Sequence, residues 1–398
     1  MNNAIEKCRL CGNNNLTNIL DLGSQVIANH FHKKEEPNSL GIPLHLIRCK
    51  TCSLVQLNNI IDTDIMYKNY WYQSGINETM RNHLKDISNK ILQSMSFEKD
   101  DIAIDIGCND GTFLEYLPTC TKIGVDPSNI KPSNCIFVNN YFNVSSVSPY
   151  LKNNKAKLIT SIAMFYDLND PKSFVKDIRA SLRDNGLWVA ELSYLPRMLQ
   201  NRAYDSICHE HVVYYRLGTF AKTLEGTDLR IVHAEINNIN GSSFRIFITP
   251  SSNMKPTDNF LRLVEEEEKT NYFEDIVYDD FSNNINVESK RLIEALESFK
   301  DKKVYGYGAS TKGQIIMQYC GITAEHLKGI AERNPRKYDL YTPGTNVLIC
   351  SEEEMRKDNP DYLVVFPWYF FDEFKKRENL LHEQGCRFIL PLPKMEII

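Results

Sequence analysis

The sequence predicts an α/β protein built from two Rossmann-like units behind a small, irregular N-terminal domain. Three observations carry that expectation. An apolar strand, a glycine turn and a helix pattern follow one another over 102–114, and the same succession recurs at 303–313. Ahead of both stand two Cys-x-x-Cys pairs, Cys8 with Cys11 and Cys49 with Cys52. Strands alternating with helices imply parallel, doubly wound sheets with a ligand crevice at the carboxyl ends of the strands. A chain of 398 residues has room for two or three such domains.

From the N-terminus, the two cysteine pairs present four thiolates in the pattern of a tetrahedral Zn²⁺ site. A set of four cysteines leaves no open coordination position, so Cys8, Cys11, Cys49 and Cys52 are expected to hold a structural metal. The other seven of the eleven cysteines are scattered and read as small core residues. Strand-like pieces at 45–48 and 54–57 lie around the second pair, and an aromatic-rich stretch follows at 67–72. A helix pattern over 78–95 leads into the strand at Ile102.

The turn after that strand runs Asp105, Ile106, Gly107, Cys108, Asn109, Asp110, Gly111. Glycines there let a backbone approach a nucleoside closely. A second strand ends at Asp126, placed to take both ribose hydroxyls of an adenosine. Asn109 and Asp110 stand where dinucleotide enzymes keep small residues, whereas the cationic sulfonium and amino group of S-adenosylmethionine suit Asp105 and Asp110. Cofactor contacts are therefore expected at Asp105, Gly107, Asn109, Asp110, Gly111 and Asp126, and at Ala163 and Met164 where the next strand, 158–163, ends.

Farther on, 174–182 reads as a helix and 187–191 as a strand running towards Glu191. Residues 217–224 look helical, and 230–236 and 243–248 look like antiparallel strands added to one sheet edge. The charged stretch 259–300 reads as helical, with the acidic run 265–268 as a solvated face. The second Rossmann-like unit carries Gly306-x-Gly308 and Lys312, with strands at 330–335, 363–366 and 388–390. Glu332 stands where a nicotinamide dinucleotide's ribose acid would sit, while backbone amides with Lys312 would equally suit a pyrophosphate.

Between the two units lies His209-Glu210-His211. If the segment is a strand, both rings point to one face, as a metal site requires, but no third ligand is evident nearby. An imidazole beside a carboxylate also suits proton abstraction at neutral pH, and that acid–base reading is preferred.

Bulk properties bound the remaining possibilities. A net charge of −5 argues against a nucleic-acid partner. No apolar run reaches the ~18 residues of a membrane span, and the N-terminus lacks the apolar core of a signal peptide. A cytoplasmic chain is expected, and the oligomeric state is left open.

These motifs, together with Tyr72-Gln73-Ser74, Asn240-Gly241-Ser242-Ser243, Tyr341-Thr342-Pro343-Gly344-Thr345 and Pro367-Trp368, occur in a telling order over nearly the whole chain. The chain resembles the three-domain S-adenosylmethionine-dependent C-methyltransferases of nucleotide-activated keto-sugars. The resemblance implies a zinc-binding domain over 1–66, a class I methyltransferase domain over 67–250 and a C-terminal α/β domain over 251–398 that helps hold the nucleotide-sugar. It implies a catalytic group of Tyr72, His209, Glu210 and His211, with His211 the base, oriented and made more basic by Glu210. Substrate contacts fall to Tyr72, Ser74, Glu191, Gly308 and Lys312. The family often has a tyrosine where Cys208 stands here. Sugar O-methylation, nicotinamide-dependent oxidoreduction at Gly306-x-Gly308 and a non-catalytic nucleotide-sugar-binding role are the competing readings.

Overall fold

A computed structural model describes residues 3–34, 36, 40–60, 65–66, 73–151 and 154–398. Its largest sheet has seven strands in the order Arg230–Asn237, Ser243–Thr249, Leu182–Ser193, Ala156–Ile162, Ile102–Ile106, Thr121–Val125 and Ile136–Val138. The last five run parallel, and Ser243–Thr249 lies antiparallel both to Leu182–Ser193 and to Arg230–Asn237. Ile102–Ile106 is buried along its whole length, which is why the sequence shows an unbroken apolar run interrupted only by Asp105. Ile104 pairs with Ile123 on one side and Ile159 on the other, so strand order reverses at this strand. A crevice opens at the carboxyl ends there.

The flanking helices follow their apolar spacing. Glu78–Ser94 buries Met80, Leu84, Ile87 and Ile91, and its Asn77 cap accepts from the Thr79 N–H at 2.9 Å. Pro171–Ser181 buries Phe174, Val175 and Ile178 behind an Asp170 cap.

The N-terminal sheet holds Leu16–Gln25, Ile42–Cys49, Val55–Leu57 and, as its far edge, Val213–Tyr214. That edge strand comes from a chain segment about 150 residues downstream, which local sequence patterning does not reveal. The ten-residue strand Leu16–Gln25 also escaped the sequence reading. It buries Leu20 and Leu22 but carries Asn, Asp and Gly between its apolar positions.

In the C-terminal sheet, Ile349–Ser351, Ile330–Glu332, Val304–Tyr307, Tyr362–Val365 and Arg387–Leu390 run parallel, and Glu396–Ile397 closes the edge antiparallel. The charged stretch before it is two helices, Asp258–Glu268 and Ile276–Ser298, and not one. Between them Arg48 from the N-terminal sheet bonds the carbonyls of Tyr272 and Phe273 and pairs with Asp275. The acidic run corrects a further expectation. Glu267 is buried, accepting from the backbone N–H of Leu217 (2.5 Å) and Gly218 (3.0 Å), from Tyr194 and from Arg216. A carboxylate caps the start of helix Leu217–Ala221 there, so burial is offset by four donors.

One continuous apolar cluster joins all three regions through Leu20, Leu44, Tyr204, Cys208, Ile285 and Ile315. No helix among the described residues is long and apolar enough to cross a membrane.

Candidate active site

The four N-terminal thiols lie within 4.8 Å of one another. Cys8 faces Cys52 at 3.6 Å and Cys11 faces Cys49 at 3.6 Å. Zinc–sulfur bonds of ~2.3 Å in a tetrahedron demand sulfur–sulfur edges of about 3.8 Å, so the donor set fits zinc. Leu10 donates its N–H to the Cys8 sulfur, the outer support a thiolate ligand needs.

At the crevice, Asp105 is buried and bonds the Thr160 hydroxyl at 2.6 Å. Burial, reinforced by the nearby Asp126, pushes its carboxyl up to about 7. A buried acid short of positive charge suits a cationic ligand, which is the fit S-adenosylmethionine requires. Asp126 accepts the N–H of Asn109 and of Ser128, each at 2.8 Å, and so fixes the loop that carries it. Gly111 has φ +79°, and a Cβ there would lie 2.4 Å from the Asn134 Oδ1. The turn can only be made by glycine. Met164 packs over Gly107, and Ala163 adopts φ +55° while donating its N–H to the Glu191 carbonyl.

Asn109 and Asp110 turn out to anchor the segment that crosses this loop. Asn109 Oδ1 accepts the Ser74 N–H at 3.0 Å and Asp110 Oδ2 accepts the Gly75 N–H at 2.8 Å, while Asp110 Oδ1 takes the Thr112 hydroxyl. Expected as direct cofactor contacts, these two side chains hold residues 74–75 in place. Tyr72 lies outside the described residues.

Along the adjacent strand ends runs a small enclosed cavity lined by Ala163, Tyr166, Glu191, Ser193, Asn240 and Ser243. Glu191 borders it but is already committed: His83 Nε2 lies at 2.5 Å, and Arg245 and Asn237 donate at 2.8 and 3.0 Å. Burial alone would raise its carboxyl, yet His83 and Arg245 outweigh that and hold it low. Glu191, expected as a substrate contact, thus borders the cavity from within a buried charge network with His83, Arg245 and Asn237.

The segment 208–211 is a turn, closed by the His211 N–H on the Cys208 carbonyl at 3.0 Å, and not a strand. Its corners send the side chains apart. His209 is fully buried with Nε2 on the Ile42 carbonyl at 3.1 Å, and burial drives its imidazole down to about 4. That histidine, expected in the catalytic group, ties the turn to the N-terminal sheet. Neither Glu210 oxygen meets a well-formed hydrogen-bond partner among the described residues, the Cys208 thiol being the polar group beside it, and burial raises the carboxyl. The expected Glu210–His211 pairing is absent.

His211 is instead oriented by backbone. Its Nδ1 lies 2.9 Å from the Ser206 carbonyl, and a carbonyl can only accept. The proton therefore sits on Nδ1 and the lone pair on Nε2. Tyr166 meets the ring edge-on at 4.2 Å between centroids. Burial first, then the Lys312 ammonium, hold the imidazole down to about 4.

Three family models cover nearly the whole chain in series. A zinc binding domain matches residues 8–67, a methyltransferase domain 76–234 and a C-methyltransferase C-terminal domain 238–393. The chain belongs to the three-domain C-methyltransferases. It is 24% identical over 414 aligned positions to the C-methyltransferase NovU of Streptomyces niveus, covering 99% of this chain and 97% of that one. Among solved structures, an S-adenosylmethionine-dependent methyltransferase from Clostridium acetobutylicum is 15% identical over 42% of this chain and 90% of its own, with a TM-score of 0.31. The plantazolicin methyltransferase BpumL, with S-adenosylhomocysteine bound, is 12% identical over 46% and 86%, at 0.33. Likenesses that low carry no weight for the site.

As a member of this family the chain is an S-adenosylmethionine-dependent methyltransferase with a structural zinc. Its second Rossmann-like unit contributes to the site by an unexpected route. Gly308, with φ +88°, is covered by Pro367, whose Cγ would lie 2.6 Å from an added Cβ. Glu332 spends its carboxylate on the N–H groups of Ala309, Arg333 and Asn334. Packing therefore accounts for Gly308, and the acid expected at a nicotinamide ribose braces the turn from within. Lys312 leaves this unit altogether, bonding the Ser206 hydroxyl at 3.1 Å and the Asn240 carbonyl. Trp368 follows it across, donating from Nε1 to Asp205 at 2.9 Å. Sequence reasoning missed Tyr166, Ser206 and Asp205, because each acts through a ring edge, a backbone oxygen or a partner on another unit.

Proposed function

We propose that this C-methyltransferase acts on a carbon next to a ketone in a nucleotide-activated sugar, with His211 as the base. The observation that carries the reading is the fixed tautomer of His211, with Nδ1 on the Ser206 carbonyl and Nε2 left basic. A carbon beside a ketone becomes a nucleophile only after it loses a proton. A histidine held near 4 is neutral at physiological pH, so its Nε2 lone pair is open to a proton, although it is a weaker base than an ordinary imidazole and not the strengthened one expected beside Glu210. S-adenosylmethionine supplies the electrophilic methyl and leaves as S-adenosylhomocysteine.

The chain's own residues perform the remaining work. His211 Nε2 takes the proton, while Tyr166 and Ser206 fix the imidazole plane. Buried Glu210, with only the weakly donating Cys208 thiol beside it, can accept from a sugar hydroxyl, which would satisfy it. Tyr72 remains the candidate donor to the developing enolate oxygen by family resemblance. NovU, a C-methyltransferase by name, aligns end to end with this chain, which is in keeping with the reading.

The test needs no methyl donor. Incubated in D₂O with a panel of keto-sugar nucleotides, the enzyme should exchange one carbon-bound hydrogen of its substrate. His211→Asn should slow that exchange by about 10²–10⁴-fold while S-adenosylmethionine affinity stays within about twofold. Exchange at the wild-type rate in His211→Asn would remove His211 from the role.

A further inference from the structure

The Lys312 side chain is buried although it stands in the first turn of a helix behind a glycine turn, a position whose sequence suggests phosphate binding. Its donors are already directed inward, at the Ser206 hydroxyl and the Asn240 carbonyl, and its ammonium lies 5.0 Å from the centre of the Tyr369 ring. Ser206 is thereby gripped from two sides. Its hydroxyl meets Lys312, and its carbonyl receives the His211 Nδ1–H at 2.9 Å and the Tyr214 hydroxyl at 3.4 Å. Asp205, next in the chain, takes Trp368 from the same C-terminal unit. Two side chains of one domain thus clamp the short turn of another that aims the candidate base.

We propose that Lys312 is a positioning residue for His211: it fixes Ser206, and with it the imidazole, and places a positive charge beside the ring instead of holding a substrate phosphate. The inference rests on His211 being the base. The ionisable groups around that imidazole are Tyr166 and Asp167 before it, Asp205 on the clamped turn, Cys208 and Glu210 on its own turn, Tyr214 after it and Lys312 from the facing helix. Lys312 is the cation of the set. A fixed positive charge disfavours a second proton on the ring. The C-terminal domain thereby tunes a proton transfer in which it supplies no reacting atom.

The experiment follows His211 directly by NMR in the full-length, zinc-loaded, cofactor-free protein labelled with ¹⁵N-histidine, the signal being assigned by its loss in His211→Asn. Wild type should show the Nδ1–H tautomer and resist protonation to below pH 5. Lys312→Met should raise the protonation midpoint by about one pH unit or more. Lys312→Arg should keep the midpoint low. Ser206→Ala, which removes only the hydroxyl and spares the carbonyl, should loosen the tautomer preference and serves should Lys312→Met fail to fold. An unchanged midpoint in Lys312→Met, or an unchanged tautomer in Ser206→Ala, would overturn the proposal. With a substrate found by exchange, Lys312→Met should move the acid limb of the kcat profile up by about one pH unit, lowering kcat about fivefold near pH 4 and little at pH 6, with KM within twofold. A rise in KM with kcat intact would assign Lys312 to a phosphate after all. Failure of every sugar to exchange deuterium would count against the proposed function while leaving the titration result standing.

Discussion

The two Rossmann-like units share a strand, a tight glycine turn and a helix, yet their turns are put to opposite uses. In the first, helix Thr112–Glu115 begins at Gly111, with Asp110 accepting the Thr112 N–H at 3.2 Å, and two acids, Asp105 and Asp126, stand at the strand ends. In the second, Ser310 caps helix Thr311–Cys320 by accepting from the Gly313 N–H at 3.0 Å, Pro367 covers Gly308, and Glu332 is consumed by three backbone donors. In the first turn Asp126 is likewise held by two backbone donors and Asp110 by the crossing segment, so the contrast rests on Asp105, a buried acid that meets the Thr160 hydroxyl at the mouth of the crevice. The second turn is satisfied from within. A glycine signature therefore says that backbone must come close to something, and only the surrounding residues decide whether that something is a ligand or the protein itself.

Substitutions can break this contrast at either turn. The largest effect is expected from Gly308→Ala, which forces a Cβ onto Pro367 at a left-handed φ. It should cost about 2–4 kcal/mol of stability, read by denaturant or thermal unfolding, while S-adenosylmethionine binding in the folded fraction is unchanged. Loss of that binding instead would mean the second turn does hold ligand. Next, Asp126→Ala should weaken S-adenosylmethionine about 10–100-fold by calorimetry, the loss of hydrogen bonds to a charged acceptor. Glu332→Ala, its counterpart in the second unit, should change that affinity by less than about twofold, and equal losses in the two variants would erase the distinction.

The remaining effect concerns pH. Asp105 is pushed up to about 7, so in the free protein it is largely protonated below that value and ionised above it. A cationic ligand favours the ionised form, so affinity should rise at most about fivefold from pH 6 to pH 7 and about twofold more before it levels off near pH 8. Calorimetry in buffers of different ionisation enthalpy should register proton release on binding at pH 6. Zero release there would remove Asp105 from contact with the cofactor's positive charge.

Much of this architecture was readable from pattern. The strand Ile102–Ile106, buried on both faces, and helix Pro171–Ser181, with apolar spacing and an Asp170 cap, announce themselves locally. The cysteine set was equally plain, since ligand identity and spacing carry the geometry. What stayed hidden depends on distant partners. Lys312 meets Ser206 across 106 residues, and nothing near either one foretells it. Adjacent residues in His209-Glu210-His211 suggest a relay on paper, but a turn separates their side chains, and the orienting group is a backbone oxygen with no side-chain signature. Glu267 looked like one solvent-facing acid among four until a helix start four donors deep was found around it.

The edge strand Val213–Tyr214 has a consequence for how this chain could be dismantled. It begins two residues after His211 and hydrogen-bonds to Val55–Leu57, just beyond the last zinc-site cysteine. Deleting the metal-bearing segment would strip that strand of its neighbour and free the tail of the turn that carries the proposed base. The zinc module is thus no detachable cassette: recombination between relatives that swapped one piece without the other would inherit a histidine with nowhere firm to stand.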